Sequence, residues 1–100
     1  MPDSDSITLL AELAFAEPVA EAELLALAAV VGATRKEPGC QGYFAHVHAE
    51  DPKRVLFYER WQDQAALDAH NASAHLAAFR AQVGPRLAAP TQLSFWRRLD

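Results

Sequence analysis

The stretch EPGCQGYFAHVHAEDPKRVLFYERWQDQAALDAHNASAHLAAF, residues 37–79, decides the fold. It opens with a turn at residues 37–40 and continues as two runs of alternating side chains, residues 41–49 and 54–61. A period of two is typical of β-strands, and the residues between the runs are turn formers. The stretch therefore predicts a β-hairpin.

Helical signals follow the hairpin directly. Asp63 is a candidate N-cap for a short helix from residue 64 to about residue 70, and Ser73 is a candidate N-cap for the next helix. The second helix has an apolar stripe at helical spacing, formed by Leu76, Phe79 and Val83.

The flanking segments complete the pattern. Residues 7–16 alternate and predict a first strand, and residues 91–99 predict a last one. Between the first strand and the hairpin, Pro18 suits the first turn of a helix that ends at residues 34–36. The expected core-facing stripe of that helix is Leu24, Leu27, Ala28 and Val31.

The element order β-α-β-β-α-α-β predicts an α+β fold. It corresponds to a ferredoxin-like four-stranded antiparallel sheet with helices on one face. One hundred residues form a single domain, with residues 1–6 expected as a tail.

Both faces of the predicted sheet are apolar. Phe44 and Tyr58 alternate with Tyr43, Phe57 and Trp61 along the hairpin. Large exposed apolar surfaces are uncommon on monomers. We therefore expect a homodimer in which two sheets pack face to face.

Charge and cysteine content narrow the function classes. The net charge of −4 disfavours nucleic acid and anionic membranes as partners. Cys40 is the only cysteine, and the N-terminal residues show no secretory pattern, so a cytoplasmic location is the expectation. The four glycines form neither a dinucleotide nor a phosphate-binding motif.

The four histidines are candidates for chemistry. His46 and His48 point to the same side of a strand and could bind a metal with further ligands, but an isolated pair is a weak pattern and we predict no metal site. His70 and His75 lie at a helix break, where each could act as an acid, a base or a hydrogen-bond donor to a phenol. A structural role for either one remains the alternative.

Aromatic side chains could stack on a planar ligand, although ordinary core packing is the competing interpretation for each. The predicted substrate-binding set is Tyr43, Phe57, Tyr58, Trp61, Asn71, Phe79 and Trp96.

Three local motifs resemble one protein family. They are E-P-G-C-x-G-Y at residues 37–43, Y-E-x-W at 58–61 and A-L-x-x-H-x-x-S-x-H at 66–75. Together they resemble the antibiotic biosynthesis monooxygenase (ABM) family, and bacterial quinol monooxygenases within it. The resemblance implies a dimeric α+β barrel that oxidises quinols or polycyclic phenols with molecular oxygen and no bound cofactor. It also implies that His70 or His75 deprotonates or binds the substrate.

Other branches of the same family fit less well. The haem-degrading branch uses an Asn on the first strand, whereas the only asparagine here is Asn71; aligning the hairpin ends on Trp61 puts His70 and Arg80 where that branch has Trp and His. Isomerases of a phosphorylated signal sugar share a similar pair of histidines, but no phosphate site is evident. A non-enzymatic dimer that binds a small molecule is the main alternative.

Overall fold

The structure is a computed structural model that describes residues 5–100, so the first four residues of the predicted tail lie outside it. The elements are β1 (Ile7–Ala14), α1 (Glu21–Thr34), β2 (Cys40–Val47), β3 (Arg54–Trp61), α2 (Gln64–Asn71), α3 (Ala74–Val83), a 3₁₀ turn (Gly84–Arg86) and β4 (Gln92–Trp96).

The four strands form one antiparallel sheet in the order β2-β3-β1-β4. The helices pack on one face of it, so the predicted ferredoxin-like α+β fold is confirmed. Glu59 on β3 lies between Tyr43 on β2 and Leu9 on β1, and this register places all three side chains on the helix-facing side.

Several element boundaries differ from expectation. β1 ends at Ala14 rather than residue 16, and Phe15 forms an isolated bridge with Leu87. α1 begins at Glu21 rather than at Pro18. β4 covers only residues 92–96 of the expected 91–99.

The buried stripe of α1 is also rotated from the predicted one. Ala26, Leu27 and Val30 are buried, whereas Leu24 is 53% exposed. The helix is apolar around most of its circumference, so spacing alone does not select a face. Glu23 lies on the buried side of the helix. Its carboxylate accepts a hydrogen bond from the Ala20 amide at 3.1 Å and pairs with Arg86 at 3.3 Å.

The two predicted helix caps after the hairpin are confirmed. Asp63 Oδ1 accepts a hydrogen bond from the Ala66 amide at 2.9 Å, and Ser73 Oγ accepts one from the Leu76 amide at 3.4 Å. These caps fix where α2 and α3 begin, which matters for the histidines that the two helices carry.

The side chains on the side of the sheet away from the helices are only partly buried. This outer face carries large apolar side chains on all four strands: Leu10, Phe44, Leu56, Tyr58 and Trp96. Phe44 is 48% exposed and Trp96 57% exposed. Within residues 5–100 no helix has the length and apolar character needed to cross a membrane.

Candidate functional site

The E-P-G-C turn is fixed against α2 by Gly39. Its φ is +84°, and a Cβ added there would lie 2.5 Å from Cβ of Ala66, so only glycine fits. The Gly39 carbonyl also accepts a hydrogen bond from the Gln62 amide at 2.8 Å. The turn therefore carries Glu37 to the C-terminal part of α2.

The break between α2 and α3 is fixed by Ser73. Its hydroxyl donates to the His70 carbonyl at 2.6 Å, and its amide lies 3.0 Å from the same oxygen. Because Ser73 also caps α3, the new helix starts at once and brings His75 back toward His70.

Two histidines and one carboxylate meet at this point. Glu37 Oε2 lies 2.7 Å from Nδ1 of His70 and 2.8 Å from Nε2 of His75. The exposed fraction of the side chain rises from 3% for His70 through 12% for Glu37 to 28% for His75. The three groups thus form a hydrogen-bonded path from the interior to the surface.

The protonation state of His70 follows from its surroundings. Burial lowers the pKa of its imidazole, while the Glu37 carboxylate opposes that change. A neutral ring that donates from Nδ1 to Glu37 carries its lone pair on Nε2. His70 therefore has the form of a proton acceptor near neutral pH.

Aromatic rings hold the His70 imidazole in place. The Trp61 ring lies 4.6 Å from it, and the Tyr43 ring 5.3 Å from it in an edge-on arrangement. Trp61 is fully buried, and burial raises the pKa of Tyr43 far above its ordinary value, so the phenol stays neutral. These contacts leave His70 little freedom to turn away.

His70 lines a cavity of about 160 Å³ between the sheet and the helices. Tyr43, Phe57 and Phe79 supply aromatic walls, and the side next to β4 is bordered by the exposed Leu93 and Phe95. An apolar cavity of about 150 Å³ is enough for benzene. The space therefore suits an aromatic ring, with room to extend toward β4.

The cavity also contains a carboxyl group that sequence reasoning did not select. Glu59 is 4% exposed and lines the cavity, and its Oε1 accepts a hydrogen bond from Nε1 of Trp61 at 3.0 Å. Burial raises the pKa of Glu59 to about 7, against the opposing effects of Trp61 and Arg80. Arg80 lines the same cavity.

The structure separates the predicted site residues into groups. Tyr43, Phe57, His70, Asn71 and Phe79 line the cavity.

The others lie elsewhere. His75 is connected to the site by its hydrogen bond with Glu37, and the Trp61 ring packs against the His70 ring. Tyr58 and Trp96 lie on the outer face, opposite the cavity.

Glu37 and Glu59 were the residues that sequence reasoning missed. The signal for Glu59 was an acidic residue at an apolar-face position of β3, between Phe57 and Trp61. The signal for Glu37 was only its place in the turn motif, because 33 residues separate it from His70.

The cluster of Glu37, His70 and His75 has the types of side chain that could bind a metal ion. Nitrogen and oxygen atoms of Glu37, His70 and His75 lie within 4.8 Å of one another. The two short hydrogen bonds already account for this arrangement. His46 and His48 are exposed, and His48 Nδ1 accepts hydrogen bonds from the amides of its own turn.

Comparison with known proteins identifies the family. The model of the antibiotic biosynthesis monooxygenase family matches residues 6–82. The chain belongs to this family. The resemblance of the three sequence motifs to the ABM family is thereby confirmed.

Individual proteins are similar to this one over most of the chain. The Mycobacterium tuberculosis protein named "Putative monooxygenase Rv0793" is 39% identical over 84 residues, which are 83% of this chain and 82% of that protein. The Rv0793 structure has a TM-score of 0.82 at 30% identity, covering 95% of this chain and 96% of that one. PA3566 from Pseudomonas aeruginosa has a TM-score of 0.87 at 31% identity, covering 98% of both chains. These similarities support the fold, and the names of these proteins give no substrate.

Proposed function

We propose that this protein is a cofactor-independent monooxygenase that oxidises a quinol or polycyclic phenol with molecular oxygen. The observation that carries the proposal is His70, a buried imidazole that lines an aromatic cavity while its Nδ1 lies 2.7 Å from the Glu37 carboxylate. Membership of the ABM family supports the class of reaction.

The first step is deprotonation of the substrate. The phenolic O–H bond breaks, the proton moves to Nε2 of His70, and the electron pair stays on the substrate oxygen. The imidazolium is stabilised because Nδ1 donates to the Glu37 carboxylate. A positioned general base typically contributes about 10²–10⁴-fold to the rate.

A quinol can supply all four electrons that reduce one oxygen molecule. Two come from the conversion of its hydroxyls to carbonyls, and two from hydroxylation of a ring carbon. With 1,4-naphthohydroquinone the products are 2-hydroxy-1,4-naphthoquinone and water, and each takes one atom of O₂. Since the substrate is the reductant, the proposal includes no flavin and no metal.

The cavity walls would hold the ring. Phe57 and Phe79 meet edge to face with centroids 5.8 Å apart, and Tyr43 packs 5.2 Å from Phe57. Asn71, at the end of α2, supplies an amide that can donate to or accept from a substrate oxygen. Trp61 acts indirectly, through the His70 ring.

We also propose that the protein is a homodimer formed through the outer face. Tyr58 and Trp96 would then contribute to subunit contact rather than to the cavity. Residues 1–100 are taken as one domain, because β4 lies beyond the family match and still pairs with β1. The partners in this proposal are the aromatic substrate, oxygen and the second subunit; nucleic acid and membranes are not included, and a cytoplasmic location remains a prediction.

Oxygen consumption with 1,4-naphthohydroquinone tests the oxygenase. Superoxide dismutase and catalase suppress the spontaneous reaction, and ¹⁸O₂ labels the product. We expect turnover above the buffer rate, one labelled atom in the hydroxyquinone and a loss of about 10²-fold or more in His70→Asn. The matched control is His48→Asn, which removes an exposed imidazole while its side-chain oxygen can still accept from the turn amides.

The alternative has a distinct outcome. If anaerobic titration shows that 1-naphthol binds, but the wild-type protein consumes no oxygen with 1,4-naphthohydroquinone above the buffer rate, the proposed oxygenase is excluded. A non-enzymatic protein that binds aromatic compounds would then be the better description, since the apolar cavity would serve that role unchanged.

A further inference from the structure

The carboxyl group of Glu59 faces the cavity from the helix-facing side of the sheet. Its cross-strand neighbours, Tyr43 and Leu9, are both buried, so the group is surrounded by apolar surface on the sheet side. Trp61 satisfies Oε1 by donating from Nε1 at 3.0 Å. Glu59 and His70 thus both contact the same indole ring, Glu59 by a hydrogen bond and His70 by a tilted ring contact with centroids 4.6 Å apart.

The remaining polar atoms of these two groups border open space. Within residues 5–100, Thr34 Oγ1 is the one completely enclosed side-chain polar atom that lacks a hydrogen-bond partner. Oε2 of Glu59 and Nε2 of His70 have no protein donor or acceptor in that part of the chain either. They therefore keep accessible surface, and the space that both residues line is the cavity.

Packing alone does not explain a carboxyl group at this position. A neutral amide could accept the Trp61 hydrogen bond equally well, without the free energy needed to bury an ionisable group. Arg80 on α3 faces the same cavity and favours the ionised form of Glu59. A carboxylate with one unused oxygen and a nearby guanidinium is suited to bind a hydroxyl group.

We propose that Glu59 is a second proton acceptor of the cavity, with Arg80 as its charge partner, so that the preferred substrate is an aromatic ring with two oxygen substituents. One hydroxyl contacts His70 and the other contacts Oε2 of Glu59. The inference rests on the proposed function, and of the two substrate classes named there it selects quinols over polycyclic phenols that have a single hydroxyl group.

The two acceptors balance the reaction. One hydroxyl proton moves to Nε2 of His70 and the other to Oε2 of Glu59, and both electron pairs stay on the substrate oxygens. One oxygen atom of O₂ is inserted into a C–H bond of the ring, whose hydrogen becomes the proton of the new hydroxyl group, and the second oxygen atom leaves as water with the two protons from His70 and Glu59. Both side chains then return to their starting states, and no additional acid or reductant is needed.

Several charged or titratable groups surround Glu59, and they set the pH at which it accepts a proton. Arg80 on α3 and the indole of Trp61 favour the carboxylate, whereas burial and the Glu37 carboxylate favour the protonated form. Tyr43 and His70 border the same cavity and are neutral near pH 7 because burial disfavours their charged forms. With the pKa of Glu59 near 7, we expect kcat/KM to rise with pH through this region.

The test is binding without oxygen. Anaerobic calorimetry at pH 8 compares 1,4-naphthohydroquinone with 1-naphthol, which lacks the second hydroxyl, on wild type and on Glu59→Gln. We expect wild type to bind the hydroquinone about tenfold more tightly, and Glu59→Gln to reduce that preference to about twofold or less, because a hydrogen bond to a charged acceptor is lost. Glu23→Gln is the matched control: it alters another buried carboxyl group, on α1, and should keep the preference.

The outcomes separate the two proposals. A preference that is unchanged in Glu59→Gln overturns the inference, even if wild type consumes oxygen. Loss of the preference supports it, even if wild type shows no turnover and the oxygenase proposal fails. Should Glu59→Gln not fold, Arg80→Gln, at an exposed position, is used in its place. Hydroquinone affinity should rise with pH as Glu59 ionises, and because Arg80 favours the ionised form, this rise should move to higher pH in Arg80→Gln. A curve that does not move contradicts the inference.

Discussion

Nδ1 of His70 lies 2.7 Å from Oε2 of Glu37, although 33 residues separate them in the chain. This contact joins the turn before β2 to the end of α2. It fixes which nitrogen of the imidazole carries the proton, and so leaves Nε2 as the basic atom. The chemistry proposed for the cavity depends on this pair.

Replacement of Glu37 by glutamine should lower kcat for the hydroquinone by roughly 10–100-fold. The amide is similar in shape but carries no charge to stabilise an imidazolium at His70. Steady-state oxygen uptake measures the effect, with the exposed Glu50→Gln as the control. Equal rates in wild type and Glu37→Gln would argue against His70 as the base.

His75→Ala should have a smaller effect than His70→Asn. His75 does not line the cavity, and its side chain is 28% exposed, so it acts only through Glu37. We expect kcat to fall by less than about tenfold, since one hydrogen bond to Glu37 remains. If His75→Ala lost as much activity as His70→Asn, a direct role for His75 would have to replace the indirect one.

Gly39→Ala should destabilise the protein by about 2 kcal/mol or more. The added Cβ would meet Ala66, and the residue would have to keep a positive φ. Gly32→Ala is the control, because nothing lies within 4 Å of its Cβ position and alanine favours the helix by about 0.5–1 kcal/mol. Urea unfolding measures both changes, and similar values for the two variants would refute the account of the turn.

Glu59→Gln should be more stable than wild type at pH 8 and lose that advantage in acid. The pKa of Glu59 is about 7 in the folded protein and near the ordinary 4.5 when unfolded. Between these values the folded state holds a proton that the unfolded state releases, so wild-type stability falls as pH rises from about 4.5 to 7. We expect an advantage of roughly 1–3 kcal/mol at pH 8 and little at pH 4, by urea unfolding. A stability difference that does not vary with pH would mean that Glu59 has an unperturbed pKa.

Tyr58→Glu should convert the proposed dimer into a monomer. The substitution places a charge at the centre of the outer face, opposite Leu10 and Phe44, where a second sheet would bury it. Leu25→Glu adds the same charge at a position on α1 that is 65% exposed and should leave the mass unchanged. Light scattering measures the mass. If Tyr58→Glu remained a dimer, the subunit interface would have to lie on a surface other than the outer face.

The sequence predicted the fold because its signals are local. Alternation in the hairpin and the caps at Asp63 and Ser73 each act within a few residues. The face of α1 could not be read in this way, because apolar residues surround most of that helix. Its orientation is set by Glu23 and by contact with Ala26, Leu27 and Val30.

The candidate site was only half accessible to the same reasoning. The aromatic residues and His70 were selected because their types suggest ring binding and acid–base chemistry, and the cavity does contain Tyr43, Phe57, His70 and Phe79. The periodicity of a strand shows that Tyr58 points away from Phe57, but not which of them faces the helices.

By itself, then, the sequence determined the order of the elements, the antiparallel hairpin and the family, since these depend on short-range periodicity and motifs. The tertiary structure alone decided that Glu37 joins His70 and His75, and that Glu59 faces a cavity rather than solvent. Both results arise from burial and from contacts between distant segments. Those two factors set the protonation of His70 and Glu59, and no local pattern encodes them.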